Sequence, residues 1–234
     1  MITNELREIS QKTGKDLLVT FNDFLDYCIG CFSPEKNLKE ELNKDSIFKN
    51  AFQELFGTIY LQGINLHGWC DPLGDMFMDM TKGIQAYRGQ FFTPPSICNL
   101  MKMITVDHIN DDKKTYCGPL FGKRVLCSDP TCGSGRNLLA IASDYMDKGC
   151  SESPYFIGED LDLTCCKMTA INMCAHGIPG EVICHNTLSE PDTVKNGFII
   201  NEHLMFMPIP SIRITNNKNL FVLFRKRKEE KHGK

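Results

Sequence analysis

Residues 123–146 constrain the fold of this chain more than any other segment. Lys123–Ser128 (KRVLCS) is a short apolar run of strand character, Asp129–Arg136 (DPTCGSGR) is a glycine-bearing turn, and Asn137–Met146 has helical spacing. Without Cβ atoms, Gly133 and Gly135 let the backbone turn tightly and approach a ligand closely. Amide groups at the helix start then favour a carboxylate or phosphate. The same order recurs downstream: Tyr155–Gly158 (YFIG), a helix over Thr164–His176 closed by Gly177 and Pro179, and Glu181–His185 (EVICH). Strand, helix, strand, helix, strand implies parallel pairing with right-handed crossovers, hence an α/β doubly wound sheet. A plain strand-to-helix turn also explains a lone G-x-G. A dinucleotide fingerprint needs a third glycine where Leu138 stands, which disfavours a nicotinamide dehydrogenase.

Upstream the texture is helical. Leu6, Ile9, Leu17, Leu18, Phe21, Phe24, Leu25 and Cys28 fall near helical spacing, with Gly14 as a break, and a second helix runs from Ile47 to Ile59. Asp71-Pro72 and Thr93-Pro94 each read as an N-cap followed by proline at the first helical position. The expected organisation is a helical region over residues 1–115 and a Rossmann-like domain over 116–234. The tail has a hairpin signal, with Ser211–Thr215 and Leu220–Phe224 flanking four polar residues.

Composition narrows the class. A hydrophobic fraction of 42% and a charged fraction of 24% suit a globular chain with a sizeable core. No run approaches the roughly 18 apolar residues of a membrane helix, and the N-terminus lacks a signal-peptide apolar block. The expectation is a cytoplasmic protein with free thiols despite its 12 cysteines. Cys28 and Cys31 form a lone C-x-x-C, short of the four ligands of structural zinc, so no metal site is expected. A net charge of −3 argues against a large DNA footprint, and the basic run Arg225–Lys228 reads as a solvated tail.

Candidate ligand groups sit at the strand ends. After Gly158 come Glu159 and Asp160, either of which suits a ribose-binding carboxylate; helix capping explains Asp160 and Asp162 equally well. After the third strand, Asn186 has an amide within reach of an adenine edge, though a loop asparagine needs no such role.

Taken in order, Gly89-Gln90-Phe91-Phe92-Thr93-Pro94, DPTCGSGRNLLA, IGEDLDL with AINMCAHGI, and CHNTL resemble the N6-adenine DNA methyltransferases, most closely the modification subunits of type I restriction systems. The upstream WCDPLGDMFM (69–78) is similar to that family's helical lead-in. The resemblance covers about residues 68–190 and implies an S-adenosylmethionine (AdoMet) cofactor with DNA as partner. The cofactor-binding set it implies is Phe92, Thr93, Asp129, Pro130, Thr131, Cys132, Gly133, Gly135, Asn137, Asp160, Leu161 and Asn186. Phe92 and Thr93 would meet the methionine end, Thr93 serving also as a helix cap. Asp160 fits the ribose acid better than Glu159, Asn186 would contact adenine, and His176 fits a structural helix-ending histidine.

One departure matters more. The family places [N/D/S]-P-P-[Y/F/W] at the end of its fourth strand to hold and stack the target base. Here the corresponding apolar stretch is Leu204–Pro210 (LMFMPIP), with no such acceptor, proline pair or aromatic. Only 24 residues follow Pro210, too few for the remaining sheet and a target-recognition region. The expected fold is therefore truncated on its catalytic side, and no catalytic residue is assigned. Asn201-Glu202, or a partner chain, would have to supply the acceptor. Two functions follow: an AdoMet-binding adenine methylase homologue of a restriction-modification system, inactive alone, or a non-catalytic regulatory or interaction protein keeping the fold.

Overall fold

The computed structural model describes residues 2–35, 47–82, 92–111, 115–118, 122–145, 154–188, 194, 196–202 and 209–222. Two helices open the chain, α1 (Ile2–Thr13) and α2 (Leu17–Phe32), broken where expected by Gly14 at φ +66°. Asp16 caps α2 by accepting from Leu18 N. The second expected helix forms and runs on without a break as α3 (Lys49–Glu54), a π-helical turn (Leu55–Tyr60) and α4 (Leu61–His67). Asp71 caps α5 (Pro72–Met80), with Pro72 in the first turn. Helix α6 (Pro95–Asp111) starts one residue later than Thr93-Pro94 implied. The Ile97 and Cys98 amides donate to the Pro94 carbonyl, so Thr93 lies too early to be the cap.

The α/β half comprises β1 (Thr115–Gly118), β2 (Gly122–Asp129), α7 (Arg136–Ser143), β3 (Tyr155–Asp160), α8 (Leu163–Ala175), β4 (Gly180–Cys184), β5 (Asn196–Ile200) and β6 (Ile212–Thr215). Pairing of β2 with β3 and of β3 with β4 is parallel, as the alternation of strand and helix demands. The outer strands β1, β5 and β6 add antiparallel. Across the six strands the order follows the chain, without the reversal that marks a complete doubly wound sheet, so the described residues hold one winding of it. That is the α/β class and the truncation expected.

The tail differs from expectation. Ile212–Thr215 pairs with β5 rather than with a following strand, and Lys218–Leu220 is a 3₁₀ turn. Asn217 causes this by accepting from the Asn219 amide, which closes a turn instead of a hairpin. Neither β1 nor β5 was apparent beforehand. Most of the Leu204–Pro210 stretch, the basic run Arg225–Lys228 and Gly89–Phe91 lie outside the described residues.

Helices α7 and α8 touch each other and lie on one face of the sheet, α7 against β2 and α8 across β3, β4 and β5. Helices α2 and α5 then pack on α8. A single apolar cluster runs from Ile2 through Phe156 to Ile212, so the N-terminal helices and the sheet share one core. The opposite face carries two small groups, Ile183, Ile199 and Phe221, and Tyr155, Ile157 and Val222. The buried Glu159 carboxylate contacts His185 Nε2 at 2.6 Å.

His176 ties the lead-in to α8. Its Nε2 accepts from the Cys70 amide (3.1 Å), so the neutral ring donates through Nδ1 to the Asn172 carbonyl (2.7 Å). Burial pushes its pKa down from 6.5 to about 4. The unfolded chain therefore binds a proton below pH 6.5 that the native chain refuses until about pH 4. Stability is full above pH 6.5 and declines as pH falls through that window, by about 3 kcal/mol over the whole of it. Urea midpoints at pH 7 and pH 5 should differ in the wild type and converge in His176→Gln; equal slopes in both proteins would contradict this assignment.

Candidate functional site

The site forms where β2 and β3 end. Asp129, the last residue of β2, accepts from the Thr131 amide (3.1 Å) and the Asn137 side-chain amide (3.3 Å), which closes the loop on itself. Gly133 and Gly135 have φ of +56° and +90°, values that L side chains rarely adopt. A Cβ on Gly133 would fall 3.1 Å from the Phe92 ring, tighter than ordinary contact, so the ring would have to give by a few tenths of an ångström. Thr169 of α8 fixes the loop from behind by donating to the Gly133 carbonyl (2.8 Å).

The loop's amides are less available than the sequence implied. Thr131 bonds Asp129, Cys132 bonds the Glu159 carbonyl, Gly133 bonds Asp160 Oδ2 and Gly135 bonds the Cys132 carbonyl. What the loop presents is therefore acceptor-rich rather than an open nest for an anion. Asp160 is held by the Gly133 and Asp162 amides, both at 2.9 Å. Burial raises its pKa, and those amides pull against the rise. Asn137 Oδ1 is shielded from solvent and has no hydrogen-bond partner among the described residues. A buried acceptor of that kind is costly unless a donor reaches it.

A cavity of about 310 Å³ opens here, lined by Phe92, Thr93, Thr131, Cys132, Gly133, Ser134, Arg136, Asn137, Asp160 and Cys165. That is the size and position at which α/β folds take small ligands. Seven residues of the implied set line it: Phe92, Thr93, Thr131, Cys132, Gly133, Asn137 and Asp160. The remaining five do not: Asp129 and Gly135 lie within the loop's own framework, Pro130 and Leu161 face solvent, and the exposed Asn186 accepts from the Leu188 amide. Glu159 is on the other sheet face with His185, so only Asp160 of the acidic pair reaches the cavity. Burial pushes the Cys132 and Cys165 thiols far above their ordinary value, which makes them packing groups rather than nucleophiles.

Sequence reasoning missed Arg136 and Cys165 in the wall, and Asp71 behind it. Arg136 opens α7, where the helix dipole disfavours a cation. Such a misplaced charge was the available signal that carboxylates from elsewhere hold it. Asp71 contacts Arg136 Nε at 2.6 Å and Asp75 contacts the guanidinium's other end at 2.5 Å. Against the burial that favours a neutral form, Asp71 and Asp75 keep Arg136 protonated.

The family pattern described as N-6 DNA Methylase matches residues 71–203, more than half of the 234. The chain belongs to the N-6 DNA methylase family. Its match begins at Asp71 and takes in the cavity wall from Phe92 to Cys165. Among solved structures, the chain is similar to a Listeria monocytogenes protein described as a class I S-adenosylmethionine-dependent methyltransferase. The two share 14% identity at a TM-score of 0.45, over 82% of this chain and 55% of the other. This methylase-family chain thus spans little more than half the length of that protein. No curated protein matches it significantly. No helix among the described residues is long and apolar enough to cross a membrane.

Proposed function

We propose that the chain binds AdoMet in the cavity at the C-terminal ends of β2 and β3, as the cofactor-binding part of an adenine-N6 DNA methylation system. The observation that carries this reading is the pairing of a cavity-lining carboxylate, Asp160, with the unsatisfied acceptor Asn137 Oδ1. AdoMet offers ribose hydroxyls and an ammonium as donors, so its chemistry fits that set. Asp160 would accept from the ribose, and Phe92 and Thr93 would hold the methionine end beside Arg136. Bound AdoMet supplies an electrophilic methyl on its sulfonium, and this chain's residues supply orientation and exclusion of water. DNA is the methyl acceptor in this reading, and a further polypeptide supplies base selection.

A second reading, a regulatory or interaction protein that keeps the fold, draws on one observation. Asn201 and Glu202, the nearest candidates for the absent base-holding acceptors, are both engaged in holding β6. Either way the chain alone is expected not to methylate adenine.

Calorimetric titration with AdoMet tests the cofactor reading. Saturable binding is expected in the wild type, and Asp160→Ala should weaken it by about 1.5–3 kcal/mol through loss of a charged acceptor. Absence of saturation at millimolar AdoMet in the folded wild type would remove the cofactor from the account.

A further inference from the structure

Behind the cavity lies a buried polar cluster centred on a side chain that is not among the cavity's lining residues. The Asp71 carboxylate is its centre, and donors from separate parts of the chain converge on it. The Gly74 amide (2.8 Å) and Asn172 Nδ2 (2.7 Å) donate to Oδ1. Ser134 Oγ (2.5 Å) and Arg136 Nε (2.6 Å) donate to Oδ2. Asn172 also donates to the Ser134 carbonyl (2.8 Å) and accepts from the Tyr60 hydroxyl, so α8 and the π-helical turn brace the same point. Burial pushes the Asp71 pKa up, and Arg136, Ser134 and Gly74 hold against that rise.

The groups this carboxylate holds are walls of the cavity. Ser134 and Arg136 line it directly. Arg136 reaches on to the Thr93 carbonyl (3.3 Å), and its guanidinium lies 5.7 Å from the centre of the Phe92 ring. Phe92 in turn stacks on Phe77 of α5, the helix that Asp71 caps. One carboxylate thus fixes the glycine loop on one side and, through Arg136, the Thr93–Phe92 wall on the other. An unsatisfied buried carboxylate would be a large liability, and an apolar replacement is often at least as stable, so stability alone does not explain a centre of this kind.

We propose that Asp71 is a positioning residue of the cofactor cavity, setting the separation of the glycine loop from the Phe92–Thr93 wall through Ser134 and Arg136. The proposal rests on the reading that the cavity takes AdoMet. Asp71 itself acts on the ligand only through the groups it orients. In metal sites, contacts that orient ligand-touching groups are worth about 10–100-fold in affinity, and the same scale is expected here.

The test uses the whole chain and Asp71→Asn, which keeps the shape but turns an NH₂ group toward donors. AdoMet affinity by calorimetry should fall about tenfold or more. In the ligand-free protein, amide hydrogen exchange should quicken over residues 131–137 while α1 and α2 exchange as in the wild type, a local pattern that general destabilisation does not give. The loss of affinity in the Asp71→Asn, Arg136→Gln double variant should be smaller than the sum of the two single losses, because the two act as a unit. If Asp71→Asn does not fold, Arg136→Lys keeps the charge, loses the fork, and should show the same loss of affinity and local exchange. A folded Asp71→Asn, or failing that a folded Arg136→Lys, with wild-type affinity and wild-type loop exchange would overturn the proposal. If the wild type binds no AdoMet, the cofactor reading fails by itself, and the exchange pattern still decides whether Asp71 positions the loop.

Discussion

Phe156→Ala should destabilise the chain by about 3–5 kcal/mol. Phe156 lies on β3, is 0% exposed, and belongs to the apolar cluster shared by the sheet and the helical layers. Removing its ring loses the transfer free energy of a large apolar group and leaves a hole. Helix α8, which packs on β3, contributes Met168 and Ile171 to the same cluster, both 0% exposed, and is braced by strands on one side and α2 on the other. A site so braced cannot collapse to fill the hole, which places the cost toward the upper end. Ile157, one residue on, is almost equally buried but faces the small group of Tyr155 and Val222. That group can close up more easily, so Ile157→Ala should cost about 2 kcal/mol, the low end for such a truncation. Leu188, 96% exposed, serves as the surface control and should change stability by no more than about 0.5 kcal/mol on truncation. Urea unfolding of the three variants gives the order directly; an equal loss for Phe156→Ala and Ile157→Ala would contradict the unequal two-sided packing of the sheet.

That inequality explains what the sequence could and could not disclose. Periodicity and punctuation are local, so the helices broken at Gly14, the Asp71-Pro72 start and the parallel strands with their glycine loop were all legible. Strand β5 was not, because Asn196–Ile200 is a short apolar run whose antiparallel pairing with β4 is decided by contacts far along the chain. The tail misled in the opposite way: two apolar runs around four polar residues look like a hairpin, but Asn217 turns the chain and Phe221 packs beneath β4 and β5 instead. At the site, the loop and Asp160 were readable from their position at strand ends. Arg136 and Asp71 were not connected, since 65 residues separate them and only the folded chain brings the guanidinium to the carboxylate. The amide nest expected at the loop was also a local inference, and it missed that a carboxylate one strand away, Asp160, already accepts from Gly133.

Purified alone, this chain is expected to transfer no methyl group to adenine in DNA above background, even at saturating AdoMet. Transfer to an exocyclic amine needs the nitrogen in line with the sulfonium methyl and its lone pair drawn out of conjugation. Both demands require acceptors beside the bound methyl donor that hold the flipped base. Asn201 is the side chain best placed in sequence to serve, and its surroundings rule it out. It follows β5, whose Ile200 pairs with Gly180 at the start of β4, while the cavity lies at the strand ends marked by Asp129 and Asp160. The length of β4, roughly 13 Å at about 3.3 Å per residue, therefore separates Asn201 from the cavity end of the sheet. Asn201 is also fully buried, with φ at +54°. Its Oδ1 accepts from the Ser211 amide (3.1 Å) and its Nδ2 donates to the Ile178 carbonyl (3.1 Å). Glu202 is held in a two-pronged pair with Arg213 at 2.7 and 3.0 Å. Positioning of reactants is worth about 7–11 kcal/mol of barrier, so losing even part of it removes decades of rate. Tight cofactor binding does not compensate, because it stabilises ground and transition states alike. Tritiated methyl incorporation into mixed-sequence DNA is the measurement. Label at N6 of adenine from this polypeptide alone would overturn the expectation. If that label survived in Asn201→Ala, the acceptor would lie elsewhere in the chain; if it vanished while the variant stayed folded, the engagement of Asn201 described here would have to open during turnover.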